Sequence, residues 1–129
     1  MKKLFFIFTV LFSLVNNSFA QSATPAYFYD IYVASSQNGY VWDNGGSTYS
    51  TSTKDDHGGD VYIAVLVRGC ASYLVTTFNN SPLTTAWIES YDTNHDSYID
   101  TWIYYYHINN NQGMIQTSDN GLKDSIYMR

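Results

Sequence analysis

The chain has 129 residues, is 45% hydrophobic and 18% aromatic, and carries only six basic side chains against eleven acidic ones. A length of this order holds one domain. A net charge of -5 leaves no electrostatic footprint for phosphate backbones or anionic membranes, and the hydrophobic content excludes a disordered chain.

Lys2 and Lys3 precede an apolar run, Leu4 to Val15, and a small-x-small triplet, Ser18-Phe19-Ala20. This order reads as a secretory signal peptide over residues 1–20, and the run is too short to span a bilayer. The expected product, residues 21–129, is a single exported β domain, secreted or periplasmic, with no membrane anchoring after signal removal. It keeps four basic residues (Lys54, Arg68, Lys123, Arg129) against all eleven acidic ones, hence a net charge of -7. All thirteen Tyr and all three Trp survive the cut but only Phe28 and Phe78 of the Phe, a shift toward rings that cover apolar surface while offering a hydroxyl. Cys70 alone permits no internal disulfide, so the core or a bound ion must hold the fold.

Strands are expected, in chain order, at Tyr27–Ser35, Asp60–Arg68, Ser72–Phe78, Thr84–Tyr91, Tyr98–Ile108, Gly113–Thr117 and Lys123–Met128. Each is rich in β-branched and aromatic residues and bounded by turn formers. Asn79-Asn80-Ser81-Pro82 reads as a hairpin joining two strands, and Ser118-Asp119-Asn120-Gly121 as a turn. In Val61 to Val67 both alternating faces are apolar, which predicts a central strand covered on both sides. No segment has a helical stripe. The expected fold is all-β: a small antiparallel β-sandwich or partly open barrel of about seven strands. Asp43 to Gly59 is a polar, Gly- and Ser/Thr-rich connection longer than usual, either functional or mobile.

One stretch carries chemistry. In Asp92-Thr93-Asn94-His95-Asp96-Ser97-Tyr98-Ile99-Asp100, oxygen-bearing side chains fall at positions one, three, five and nine, with the Tyr98 carbonyl at seven and an aliphatic Ile99 at eight. That is the ligand order of a calcium loop, and three carboxylates in one loop demand a counter-charge. Ser97 stands where Gly normally allows the sharp turn, Ile103 stands where a bidentate Glu would, and strands flank the loop instead of helices. The expectation is therefore a shorter, strand-flanked calcium loop with Asp92, Asn94, Asp96, Tyr98 and Asp100 as ligands and Glu89 or Asp119 recruited to complete it. The competing reading is a polar turn whose Asx side chains bond nearby backbone.

Asp56-His57-Gly58-Gly59 before an apolar strand, the loop DTNHDSYIDTW and a short terminal strand after Asp124-Ser125 together resemble the YolA-like group of small secreted bacterial proteins. The resemblance spans most of residues 21–129. It implies export and an acidic loop, usually with Gly where this chain has His95 and Ser97, and it implies no activity.

Three functions follow. The first is a calcium-stabilised module without catalysis of its own that binds an extracellular ligand, a glycan, through exposed aromatic rings, of which Trp42 and Tyr40 beside the polar loop are the best candidates. The second is a secreted effector or toxin-like protein acting through a protein partner. The third is a hydrolase with Cys70 as nucleophile, His57 as base and Asp55 or Asp60 as orienting acid. A zinc site from His57, His95 and His107 lacks ligand spacing. In Trp102 to His107, alternation places Trp102, Tyr104 and Tyr106 on one face and Ile103, Tyr105 and His107 on the other, one set being interior.

Overall fold

A computed structural model describes residues 24–119 and 122–129. The signal segment and the Asn120-Gly121 step lie outside the described residues. The described residues form eight strands: β1 (Phe28–Ser35), β2 (Asp60–Arg68), β3 (Val75–Phe78), β4 (Ser81–Pro82), β5 (Trp87–Tyr91), β6 (Thr101–Asn109), β7 (Gly113–Ser118) and β8 (Lys123–Met128). One 3-10 turn, Ser36–Asn38, follows β1. Two four-stranded antiparallel sheets result, ordered β1-β2-β6-β5 and β4-β3-β7-β8. The sheets are not closed into a barrel, which decides the fold as sandwich-like.

β2 is central in the first sheet, as its composition predicts. Val61, Ile63, Val65 and Val67 are fully buried and meet Ile31 and Val33 of β1 and Tyr106 of β6 in one cluster with Phe78, Ile115, Ile126 and Met128 of the second sheet. Alternation along the strands makes this possible, because period-two side chains send every second residue to the same face. The expectation of cover on both faces is corrected. Tyr62 and Leu66 on the outer face stay half-buried, since no second sheet packs there among the described residues.

Two further expectations change. Asn79 and Asn80 both take positive φ and turn the chain tightly, but the hairpin pairs β3 with the two-residue β4. The chain then crosses to the other sheet as β5, so the expected strands Ser72–Phe78 and Thr84–Tyr91 are not hairpin partners but belong to different layers. β6 begins at Thr101 instead of Tyr98, because Asp100 closes the acidic loop: its N–H donates to the Tyr91 carbonyl at 3.0 Å.

The long polar connection is built structure. Asp43 pairs with Val33 on the β1 edge through two backbone bonds of 2.9 and 3.0 Å, and Thr53 and Tyr127 tie the connection to β8. Gly45 is required here: at φ 84° a Cβ would lie 2.2 Å from the Ser52 carbonyl.

The core is expected to be unforgiving. Ile63→Ala should cost about 2–5 kcal/mol in denaturant unfolding, whereas Ile88→Ala, half exposed on the edge strand β5, should cost about 1 kcal/mol or less. Equal costs would show that the β5 edge is covered as fully as the centre of the sheet.

Candidate functional site

The outer face of the first sheet is a map of the registers. Tyr32, Ala64, Tyr105 and Trp87 stand in one row across its four strands, Asp30, Leu66, Ile103 and Glu89 in the next. Beside the first of these rows, Tyr62 faces His107. Because Asp43 pairs with Val33, whose side chain points inward, pleat alternation sends Trp42 to the outer face. Trp42 then lies over the sheet, and with Tyr32, Ala64, Leu66, Ile103 and Tyr105 it lines a slot of about 270 Å³.

The rings continue past this slot. Trp42 and Tyr105 are 6.2 Å apart between centroids, Trp87 stacks on Tyr105 at 4.5 Å, Tyr62 stacks on His107 at 4.5 Å, Tyr62 meets Trp87 edge-on at 6.5 Å and Tyr40 meets Tyr62 at 6.2 Å. These separations are those of favourable aromatic pairs. Trp42, Trp87 and Tyr40 are 47%, 46% and 52% exposed, so the arc is a surface and not a core.

Carboxylates fix the ring tips. The Tyr91 and Tyr105 hydroxyls donate to Glu89 Oε1 at 2.8 and 2.7 Å. Burial, then the Glu89 bond, pushes the Tyr105 phenol well above the ordinary tyrosine range. Asp60 accepts from the Tyr40 hydroxyl at 3.0 Å and from the His107 ring, and these partners hold its carboxyl below the usual range.

Tyr40 and Trp42 are legible as exposed beside the polar loop; Trp87 and Tyr105 are legible as candidate stacking rings without their exposure, and Tyr62 is not. Alternation separated Ile103/Tyr105/His107 from Trp102/Tyr104/Tyr106 without revealing which set faced the second sheet. The buried Tyr106 and the half-buried Trp102 and Tyr104 form the interior set.

Beneath the arm that carries Trp42 lies a polar hub. His57 Nε2 meets Asp43 Oδ2 at 2.9 Å and its Nδ1 meets Ser35 Oγ at 2.8 Å. Asp43 also accepts the backbone N–H groups of Gly45, Lys54 and Asp55 at 2.8 to 3.0 Å. Burial opposes ionisation of Asp43, yet the Lys54 and Asp55 amides, the His57 ring and the Gly45 amide together hold its pKa at about 2. Ser, His and Asp here have the order of a nucleophile, a base and an orienting acid. Their burial assigns a different role: Ser35, His57 and Asp43 are 0%, 2% and 7% exposed, so no substrate reaches the hydroxyl.

His57 and Cys70 are not brought together. They sit beyond opposite ends of β2, whose nine residues span roughly 27 Å at about 3.3 Å each. Asp55 holds the Asn38 side chain and Asp60 belongs to the aromatic arc. The free Cys70 thiol is half-buried and borders a cavity of about 200 Å³ shared with Asn94, Asp96 and Asp100.

The acidic loop satisfies its own backbone. Asp92 accepts the Asp96 and Ser97 amides, Asp96 accepts that of Tyr98, and Asp100 accepts the amide and hydroxyl of Thr93. His95 and Ser97 take positive φ, 61° and 76°, where Gly would be unstrained. Glu89 is engaged by two phenols, and Asp119 sits in the turn after β7. Among the described residues, no three His, Cys, Asp or Glu side chains stand close enough together to hold a metal ion.

The ordinary value for Asp43 is 3.8, so its depressed folded value adds stability that is complete above about pH 4 and fades as pH falls toward 2. The contribution is about 2 kcal/mol. Urea unfolding of wild type and Asp43→Asn should show a stability gap at neutral pH that narrows by that amount at low pH. A gap independent of pH would remove the carboxylate from this role.

No curated protein and no solved structure matches the chain. A family profile does, over residues 21–127. The chain therefore belongs to the family described as domain of unknown function DUF4879.

Proposed function

We propose that the chain is an exported β module that binds an extracellular glycan through the outer face of its first sheet, without catalysis of its own. The observation that carries this reading is the exposed arc of Tyr40, Tyr62, Trp87, Tyr105 and Trp42 beside an apolar slot. A sugar ring has an apolar C–H face and a rim of hydroxyls. The arc matches both, with aromatic surface in the middle and carboxylate-phenol pairs at Glu89 and Asp60 around it. Export is supported by the signal-like residues 1–20 and by a family match that starts at Gln21.

The reading includes calcium in the loop Asp92–Asp100. The alternate spacing of Asp92, Asn94, Asp96 and Asp100, with the Tyr98 carbonyl between, supports it. An ion would draw these oxygens from the amides that they now accept. A protein partner is the second reading, favoured by β5, an edge strand with Ile88 exposed.

A glycan array with the mature protein should give signals that Trp42→Ala and Trp87→Ala lower by about tenfold, or 1.4 kcal/mol, without a change in melting temperature. Uniform silence across the array would favour the protein partner. For the loop, calcium at one hundred times its Kd should add about 2.7 kcal/mol, reversed by chelator and absent in Asp92→Ala. A melting temperature indifferent to calcium would remove the metal from the reading.

A further inference from the structure

We infer that the slot selects glycans bearing protonated amines over neutral or acidic ones, an inference that rests on the glycan reading above. The floor of the slot is Ala64, Leu66 and Ile103, and its walls are the aromatic Tyr32, Trp42 and Tyr105. Register places a carboxylate at each end of the floor row: Asp30 beside Leu66 on β1, and Glu89 beside Ile103 on β5. Three strand spacings separate them, roughly 14 Å at about 4.8 Å per strand.

Both carboxylates are partly or wholly removed from water. Asp30 is buried under the polar connection, where the Asn44 amide and the Thr48 hydroxyl donate to it. Glu89 is half-buried and takes two phenol donors on one oxygen. Among the described residues, neither forms an ion pair. The cation nearest in register, Arg68, meets the Thr101 hydroxyl and the Phe28 ring and pairs with neither carboxylate.

An apolar slot walled by three aromatic rings, with a carboxylate beyond each end of its floor row, suits an ammonium group. Ring faces attract a cation through their quadrupoles, and the attraction grows as water is excluded. The carboxylates add a charge that solvent screens only in part. An acidic sugar meets the opposite field, and a neutral one gains the stacking alone. The ligand class is therefore a glycan of amino sugars with free amines, its rings on the arc and one amine in the slot.

The test uses the mature protein and short soluble oligomers, to limit general polyelectrolyte attraction. Three are compared by calorimetric titration: a β-linked glucosamine oligomer, the same oligomer fully N-acetylated, and an oligouronate of equal length. The free amine should bind at least about tenfold tighter than its acetylated counterpart. The oligouronate should bind most weakly. Added salt should shrink the advantage, and Glu89→Gln should remove most of it by weakening the free-amine oligomer far more than the acetylated one. Trp42→Ala, which keeps every charge, should weaken both amino-sugar oligomers.

Equal binding of the free and acetylated oligomers would overturn the amine selectivity and leave the glycan reading standing. Undiminished amine binding by Trp42→Ala would reduce the effect to net charge and overturn it also. Silence toward all three oligomers, and toward the wider array, would overturn both readings.

Discussion

The contact on which the rest depends is the buried pair of Asp43 and His57. Seven of the eight strands lie after Asp43 in sequence, but the surface argued to be functional depends on where this one residue is held. Its backbone extends the first sheet by a single bridge at Val33, and its carboxylate gathers three amides and an imidazole from a segment with almost no aliphatic side chains. A connection rich in Gly, Ser and Thr loses much conformational entropy on ordering. An ionised, nearly dry acceptor with four donors offsets that loss at one point, where charge-assisted bonds are strongest. Order in the connection then follows, and with it the position of Trp42.

The pair also separates inside from outside. Asp43 points toward the core side and Trp42, its neighbour, toward solvent, as in any pleated segment. The polar hub therefore stabilises the fold from one face of the arm while the ring acts on the other. A constellation with the chemical order of a hydrolytic site serves here as a rivet, and its burial is what distinguishes the two uses.

How much of this was legible follows from the range of each signal. Strand content and the central place of β2 were readable because alternation and β-branching act over five to nine adjacent residues. Strand ends were less so: β6 begins three residues late because the Asp100 carboxylate and amide are committed to the acidic loop, a competition that propensity does not register. The Asn79-Asn80 turn was readable in type but not in partner, since the shortness of β4 and the change of sheet are tertiary facts. The Ser35–His57–Asp43 hub was invisible, its members lying 22 and 14 residues apart with no shared pattern. Nothing around His57 in the sequence marks Asp43 or Ser35 as its partners. Of the arc, the exposure of Tyr40 and Trp42 is legible beside the polar segment, whereas that of Tyr62, Trp87 and Tyr105 depends on which face meets the second sheet.

The arm that carries Trp42 has one more effect, on self-association. By bonding to the outer edge of β1 it caps part of that edge, and Thr51 and Thr53 do the same along β8 at Tyr127. The fourth strand of the second sheet is two residues long and ends in Pro82. β5 keeps its edge uncapped along its full length among the described residues. Two copies meeting through this same edge would form a closed two-fold pair.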